Sequence, residues 1–318
     1  MTLPKQQSEA WPELPYGQWR DTCATLHLWT QIIGKVRLSL TPWLNHSWHV
    51  ALYVTARGLT TSPIPFGDRI FQIDFDFIEP GLRFRTGDGL QAEIPLRPQS
   101  VADFYSAAFA ALADLGIKVK INEWANEIPE RIRLSEDRLH ASFDPDRAYR
   151  WWKILVQADR VLKHFRSGFI GKCSPVHFFW GSFDLAVTRF SGRRAPPHPG
   201  GVPNLPDDVA RDAYSHEVSS AGFWPGGGPI EYPAFYSYAY PEPPGFRNAA
   251  IRPDAVFYSE ELREFILPYD AVRAAASPDD MLLGFLQSAY EAAANAGGWD
   301  RAALECPFGK VGVPHAFS

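Results

Sequence analysis

The sequence predicts an α+β fold in which a helix–four-strand–helix unit is internally duplicated, giving antiparallel sheets related by pseudo-two-fold symmetry. The first observation is a repeated phrase, because FQIDFDFIEPGLRF at 71–84 aligns without a gap on FYSYAYPEPPGFRN at 235–248. Both phrases share an initial Phe, a Pro-Gly pair and an Arg two residues after the Gly. The second observation is that the predicted elements follow in the same order in both halves, as expected after a duplication.

One globular unit is predicted for residues 1–318, because either half alone would leave a sheet face and a sheet edge uncovered. Its predicted parts are a first repeat at 16–117, a bridging segment at 118–143, a second repeat at 144–298 and a C-terminal tail at 299–318. The bridging segment contains a polar stretch with an excess of acidic residues, and we expect little chemistry in it.

The first repeat begins with GQWRDTCATLHLWTQIIGKVRL, whose apolar residues recur at helical spacing. SWHVALYVTARG is rich in β-branched and aromatic residues, and FQIDFDF alternates in the manner of a half-buried strand. LRFRTGDGLQAEIPL predicts a hairpin, because its Gly-Asp-Gly can supply a tight turn. SVADFYSAAFAALADLG has a Ser at its start and a Gly at its end, which predicts a capped helix.

The second repeat shows the same succession. DPDRAYRWWKILVQADRVLKHFR predicts a helix with an Asp cap, and PVHFFWGSFDLAVTRFSG predicts a strand. After the strand FYSYAY come the expected hairpin AVFYSEELREFILPYD and the Ser-capped helix SPDDMLLGFLQSAYEAAANAGG.

The second repeat carries a long insertion at 193–234, which is dense in Pro and Gly and also contains aromatic residues. Loops longer than about 12–15 residues inside a compact domain are functional or disordered. Because disordered segments are poor in aromatic residues, we expect an ordered lid or pocket wall.

Composition excludes several classes of function. Hydrophobic residues make up 46% of the chain and charged residues 21%, which favours a buried core over disorder. The net charge of −5 argues against nucleic-acid binding, and no apolar run is long enough for a membrane span. Three scattered Cys and a polar start without a signal-peptide centre predict reduced thiols in a cytoplasmic protein.

The candidate catalytic residues are His177, Asp184, His216 and Glu217. Imidazole and carboxylate groups can act as general base and orienting acid. The spacing limits this hypothesis, because the adjacent His216 and Glu217 would point to opposite faces of a strand. His177 and Asp184 are seven residues apart, so they too would point to opposite faces of a strand unless a bulge lies between them. Each His could also simply make a hydrogen bond in a turn.

The same groups allow a metal hypothesis. His177, His198 and His216, with a carboxylate, could ligate a divalent metal ion, which is the one cofactor that the sequence suggests. No sequence signature of a known metalloenzyme, hydrolase or nucleotide-binding loop accompanies them.

The candidate ligand-binding residues are mostly aromatic. Three phenols recur at alternate positions of the second repeat's strand and could line a groove with apolar walls and hydroxyl tips. Alternatively, these rings pack under the insertion, and Arg189 is exposed to solvent or ion-paired with Asp184 or Glu217. The full set is Trp180, Arg189, Trp224, Glu231, Tyr236, Tyr238 and Tyr240.

Three functions remain open at this point. The leading hypothesis is an enzyme that acts on a small polar molecule in a groove between the halves, covered by the insertion. The second is a non-catalytic module that binds a small molecule or peptide by stacking. The third is an interaction protein whose Pro/Gly-rich insertion docks a partner.

The opening WPELPYGQWRDTCATLHLWTQIIGKVRLSLTPWLNHSWHVALYVTARGLTTSPIP resembles the start of a bacterial family catalogued as domain of unknown function 5996. The segments HFFWGSFDLAVTRFSGR and SSAGFWPGGG are similar to the same family, so the resemblance covers nearly the whole chain. It implies a soluble, single-domain bacterial protein and supplies no activity, so no functional residue can be transferred from it.

Overall fold

The computed structural model describes residues 10–315 and contains two antiparallel sheets packed with helices. Within those residues there are seven α-helices, α1 to α7, and twelve strands, β1 to β12. Helices and antiparallel sheets are thus combined in one chain, which confirms the predicted α+β class.

The first half forms a sheet with the strand order β1-β2-β4-β5-β6, and β3 pairs with β4. Nearly all side chains of α1 between Thr22 and Arg37 are buried, as expected for a helix surrounded by protein. Ser100 caps α2 by accepting a hydrogen bond from the backbone of Asp103. The elements are α1 (Tyr16–Leu40), β1 (Tyr53–Val54), β2 (Gly58–Thr60), β3 (Ile64–Phe66), β4 (Arg69–Asp76), β5 (Gly81–Thr86), β6 (Gln91–Pro95) and α2 (Val101–Asp114).

The second half forms a sheet with the strand order β11-β12-β10-β9-β8-β7. The Asp144 carboxylate caps α3 by accepting hydrogen bonds from the backbone of Asp146 and Arg147. The elements are α3 (Pro145–Ser167), β7 (His177–Phe179), β8 (Asp184–Arg194), α4 (Asp207–Ala213), β9 (His216–Trp224), β10 (Ala234–Tyr240), β11 (Phe257–Ser259), β12 (Glu264–Pro268), α5 (Tyr269–Arg273), α6 (Pro278–Ala296) and α7 (Arg301–Leu304).

The predicted internal duplication is not confirmed. In the first sheet, β4 pairs with β5, the next strand in the chain. In the second sheet, β10 pairs with β12, and the intervening β11 lies at the edge. The repeated phrase therefore marks two inner strands, β4 and β10, whose later neighbours are ordered differently.

The predicted insertion at 193–234 is more than a lid. It contains β9, which lies inside the second sheet and pairs with both β8 and β10. Its residues Val218–Phe223, which are small or β-branched apart from the final Phe, fit between two strands, a signal that the surrounding Pro and Gly residues obscured. The remaining loop and α4 cover one face of the sheet.

One hydrophobic core draws on both halves of the chain. Trp19 stacks on Trp151 with 5.8 Å between ring centroids, and Trp29 stacks on Phe104 at 4.6 Å. The two sheets meet where Leu52 and Phe178 exchange backbone hydrogen bonds of 2.8 and 2.7 Å.

The two faces of the second sheet differ. One face, which includes Phe223 and Phe235, packs into the main core, where α3 and α6 contact the sheet. The opposite face carries a small separate cluster that includes Tyr236 and Ile266. This second face positions the candidate site. No helix within 10–315 has the length and apolar character needed to cross a bilayer.

Candidate functional site

The larger cavity lies on the free face of the second sheet and has a volume of about 750 Å³. Its walls are this sheet face, the first turns of α1, the segment 125–132 and the turn at 226–229. Trp224 and Tyr16 contribute aromatic surface, and Tyr236 and Tyr238 project from β10. A concave space of this size, lined by rings and polar groups, is typical of small-molecule sites.

The smaller cavity has a volume of about 420 Å³ and lies beside the larger one. The two cavities share a wall built from four parts of the chain. These shared residues, which we call the common wall, are Glu127, Gly181, Ser182, Asp184, Tyr214, Tyr236 and Tyr238.

Asp184 lies at the start of β8, at the centre of the common wall, and only 7% of its surface is exposed. Its carboxylate accepts hydrogen bonds from the hydroxyl groups of Ser182 and Tyr236. Burial raises the pKa of Asp184, and these two hydrogen bonds offset only part of that rise. No Lys or Arg side chain forms an ion pair with it in the described part of the chain.

Two further carboxyl groups face the larger cavity. Burial, followed by the nearby charge of Asp184, raises the pKa of Glu127 to about 7 and that of Glu264 to about 8. Neither side chain has a hydrogen-bond or ion-pair partner among residues 10–315. Three carboxyl groups are therefore gathered at one cavity, and none of them is paired with a cation among residues 10–315, since Arg20 of the cavity lining pairs with Asp21 at 3.2 Å instead.

Two glycines make this arrangement sterically possible. A Cβ atom on Gly181 would overlap the Glu127 carboxylate. A Cβ on Gly222 would overlap the backbone oxygen of Leu185 and lie 2.5 Å from the Tyr236 hydroxyl. Glycine at these strand and turn positions permits the close approach of functional side chains.

The tyrosines of the common wall are linked to one another. The rings of Tyr236 and Tyr238 stack with centroids 6.1 Å apart, and the hydroxyl groups of Tyr214 and Tyr238 lie 2.9 Å apart. Burial is the main cause of the raised pKa of all three phenols. They remain protonated near neutral pH and can donate hydrogen bonds.

His27 reaches the larger cavity from α1. Its Nε2 lies 2.8 Å from the backbone oxygen of Gly181, and its ring stacks on Phe183 at 4.8 Å. Burial lowers the pKa of His27 to about 4, although hydrogen bonds to backbone groups oppose this shift. The imidazole is therefore neutral near pH 7, and donation to the Gly181 oxygen orients it.

This arrangement suits proton transfer. A carboxyl group with a pKa near 7 can donate a proton in one step and accept one in another at neutral pH. Asp184 is fixed by two hydroxyl donors beside Glu127 and Glu264. The phenol oxygen of Tyr236, whose proton is donated to Asp184, can accept a hydrogen bond from a bound polar group.

Of the predicted catalytic residues, the structure places Asp184 at the cavities. His177 pairs with Ala186, two residues from Asp184, so the two side chains share a sheet face. The predicted opposite orientation is wrong because a hairpin turn separates the two residues. His177 is nevertheless fully buried, with rings of Trp48, Tyr53 and Phe179 around it.

His216 and Glu217 also lie away from the common wall. His216 meets His46 edge-on, with ring centroids 5.8 Å apart. Glu217 accepts hydrogen bonds from Ser191 and from Arg193, at 2.8 and 2.7 Å. The Arg193 guanidinium neutralises this carboxylate, so the geometry does not support a catalytic role for it.

The three predicted metal ligands are not brought together. His177 is enclosed by rings, His216 packs on His46, and His198 stacks on Tyr214 at 4.7 Å. Among residues 10–315, no group of three or more His, Cys, Asp or Glu side chains is placed to hold a metal ion. The geometry therefore offers no divalent-metal site in this range.

The predicted ligand-binding residues divide into two groups. Tyr236, Tyr238 and Trp224 line the larger cavity, and Trp180 lines the smaller one. Tyr240 lies outside both and donates a hydrogen bond of 3.0 Å to the backbone oxygen of Pro196.

Arg189 and Glu231 also lie outside both cavities. The Arg189 guanidinium is buried against Phe165 and Tyr290, 3.6 and 4.3 Å from the ring centroids. It therefore forms no ion pair with Asp184 or Glu217, and Glu231 is exposed to solvent. For these two residues the geometry does not support ligand binding.

Sequence reasoning missed Glu127, Glu264, His27 and Lys35. Glu127 lies in the bridging segment 118–143, which therefore carries chemistry that we did not expect. The sequence does contain a signal for the missed residues of α1. His27, Gln31 and Lys35 recur every four residues and therefore share one face of this helix. Polar side chains on a helix that is otherwise buried require partners or a function.

The sequence matches a family of unknown function (DUF5996) over residues 11–306, so the chain belongs to that family. This confirms the resemblance seen in the sequence. No curated protein and no solved structure matches the chain.

Proposed function

We propose that this member of a family of unknown function is an enzyme that binds a small polar molecule in the larger cavity. Asp184, Glu127 and Glu264 transfer protons to and from that molecule. One observation carries the proposal: three carboxyl groups face a ring-lined cavity, and none of them forms an ion pair within residues 10–315.

The roles follow from the contacts. Asp184 is the fixed member, because Ser182 and Tyr236 hold both of its oxygens. Glu127 and Glu264 are unrestrained by hydrogen bonds, and their pKa values of about 7 and 8 suit exchange of a proton at neutral pH. Tyr236 and Trp224 supply the surface on which the molecule stacks.

Burial of unpaired carboxyl groups favours a functional over a structural interpretation. Taking a carboxylate out of water costs free energy, so structural acids are paired with cations or capped by several donors. A fold that keeps three such groups together without pairing them retains them at a cost in stability. Strongly shifted pKa values clustered in a cleft are a signature of functional sites.

The test combines binding and turnover. The protein is screened at pH 7.5 against small amino acids, amines, sugars and nucleosides for a rise in melting temperature, and compounds that bind are followed by mass spectrometry. We expect a compound to be converted by the wild type, with the rate reduced at least 100-fold in Asp184→Asn and in Glu127→Gln. The matched control is Asp279→Asn, which removes an exposed carboxylate paired with Arg160.

Binding without conversion would favour the alternative of a non-catalytic module that uses the same rings. If the wild type and Asp184→Asn converted the compound at equal rates, the Asp184 carboxyl group would have no part in the mechanism. The alternative of an interaction protein has less support, because the Pro/Gly-rich loop is engaged within the chain. The oxygen of Pro203 accepts from the backbone of Glu127 at 2.8 Å, and Asn204 donates to Ile128 at 2.7 Å.

A cytoplasmic location is part of this proposal. Cys23, Cys173 and Cys306 are all unpaired thiols, which fits a reducing compartment.

A further inference from the structure

The smaller cavity is not needed for the proposed proton transfer, and its walls have a different character. Trp48 and Trp180 line it with Phe179 and Phe190, and Val209 of α4 belongs to the cover formed by the insertion. Such a surface suits an aromatic ligand, since burial of rings supplies most of the binding free energy in apolar pockets.

One buried cation lies in these walls. Lys35 of α1 is 2% exposed and donates a hydrogen bond to Oδ1 of Asn126. Its Nζ lies 5.4 Å from the centroid of the Trp180 ring. No carboxylate forms an ion pair with it in the described part of the chain. Lysine is almost never fully buried without such a partner.

The surroundings hold Lys35 in place. A Cβ atom on Gly34 would overlap the Trp180 ring, so the glycine lets this ring lie directly against α1 beside Lys35. The Trp180 Nε1 donates to the backbone oxygen of Val50 at 2.9 Å, which fixes the ring.

The orientation of Asn126 is fixed as well. Gln31 accepts a hydrogen bond of 2.7 Å from the Asn126 backbone and donates one of 2.8 Å to its backbone oxygen. The Asn126 side-chain amide donates to the backbone oxygen of Asn204 at 2.8 Å. Its Oδ1 is thereby directed to Lys35, which retains further N–H donors for a ligand.

The other polar groups of this cavity leave room for an anion. The Asp184 oxygens already accept from Ser182 and Tyr236, and burial favours the protonated form of Glu127. His46 is held by the backbone oxygen of Ala213 at 2.9 Å, and burial lowers its pKa. Lys35 is therefore the buried positive charge among the described lining residues, whereas the exposed Lys172 contacts the Trp48 and Phe190 rings and Nε2 of His46 from outside the lining.

We propose that the smaller cavity binds a small aromatic carboxylate. Its ring lies among Trp48, Trp180 and Phe190, and its carboxylate accepts hydrogen bonds from Lys35. Pairing of this kind supplies the counter-charge that the buried ammonium lacks. The proposal does not depend on the acid–base chemistry of the larger cavity, although Asp184 and Glu127 lie in the wall that the two cavities share.

Two probes with the same ring system and opposite charge test the proposal. Binding of 2-naphthoate and of 2-naphthylmethylammonium to the full chain is measured by titration calorimetry at pH 7. We expect 2-naphthoate to bind at least tenfold more tightly than the amine. Burial lowers the pKa of Lys35 to about 8, so the affinity for 2-naphthoate falls as the pH rises from 7 to 10.

The matched variants are Lys35→Met and Lys163→Met. Lys35→Met keeps the length of the side chain without its charge, and we expect it to weaken 2-naphthoate binding at least tenfold. Lys163→Met removes an exposed lysine paired with Asp159 and should leave the affinity unchanged.

Equal binding of both probes, tighter binding of the amine, or an unchanged affinity in Lys35→Met would overturn the proposal. The comparison of the two probes uses the wild type alone and decides the question even where Lys35→Met does not fold. In the pH series, Glu127 of the same wall also loses its proton near pH 7, so the fall in affinity that reports on Lys35 is the one above pH 8.

Discussion

Two buried aspartates, one in each sheet, have opposite electrostatic environments. Asp76 ends β4 in the first sheet, where Arg57 and Arg83 donate to its carboxylate and the backbone of Ile78 and Glu79 adds two more donors. Burial alone would raise the pKa of Asp76, but these donors outweigh it and hold the pKa below its usual value.

Asp184 begins β8 in the second sheet and receives only two neutral hydroxyl donors. Burial therefore prevails, and its pKa is raised. The first sheet pairs its charges with one another, whereas the second leaves carboxyl groups directed at a cavity. Burial of a carboxyl group therefore indicates function only where no cation pairs with it.

The largest expected effect comes from breaking the paired aspartate. Asp76→Asn removes the buried carboxylate that Arg57 and Arg83 share, so we expect a loss of about 3 kcal/mol in the free energy of unfolding, although Glu79 still contacts both guanidinium groups. Asp184→Asn removes no ion pair and should cost about 1 kcal/mol or less. Urea unfolding at pH 7 measures both values. Equal losses would contradict the contrast between the two sites.

A steric substitution sharpens the comparison within the second sheet. Gly222→Ala places a methyl group against the Leu185 backbone and the Tyr236 hydroxyl, and we expect a loss of about 2 kcal/mol. Gly284→Ala is the control, because this α6 glycine has nothing within 4 Å of its Cβ position. The control should gain up to about 1 kcal/mol from helix propensity. Thermal unfolding of the two variants decides whether the close approach at Gly222 is real.

The pH dependence separates the unpaired carboxyl groups from ordinary ones. A folded-state pKa of about 7 for Glu127, above its usual value of 4.5, means that the folded chain binds this proton more tightly than the unfolded chain does. The contribution to stability is complete below pH 4.5 and is lost as the pH rises through 7.

Glu127→Gln removes the loss of stability that accompanies the ionisation of Glu127. Relative to the wild type, we expect the variant to gain about 1.5 kcal/mol between pH 4.5 and pH 8, with allowance for partial solvent access. Guanidinium unfolding at a series of pH values measures the difference. Parallel curves for the two proteins would show that Glu127 titrates normally.

The smallest expected effect concerns a single hydrogen bond. Tyr236→Phe removes one of the two donors to Asp184 and should cost about 1 kcal/mol. Because this hydrogen bond lowers the pKa of Asp184, the substitution should raise that pKa further. Infrared titration of the carboxyl band measures this shift. An unchanged pKa of Asp184 would show that the Tyr236 hydroxyl group does not donate to it.

Much of the fold could be predicted because its signals are local. Capped helices such as α2 and α3 and alternating strands such as β4 follow from side chains within a few residues. β9 was missed because its residues lie within a Pro/Gly-rich stretch. The strand order around β10 depends on long-range pairing, which no local pattern encodes.

The candidate site was only partly predictable. Tyr236 and Tyr238 could be found because alternate positions of one strand share a face, and Asp184 could be found as a carboxylate grouped with candidate His residues. Glu127 and Glu264 lie far apart in the chain and meet only through folding. Their lack of a cation, which distinguishes them from the many paired acids, exists only in three dimensions.

The most direct test of the central claim is the titration of glutamate carboxyl carbons by NMR, in protein labelled with ¹³C at the side-chain carboxyl group. We expect two glutamate signals that titrate near pH 7 and pH 8. The first should be absent in Glu127→Gln and the second in Glu264→Gln. If every glutamate titrated below about pH 5, the usual range for this residue, the three carboxyl groups would be ordinary solvated acids and the account would be wrong.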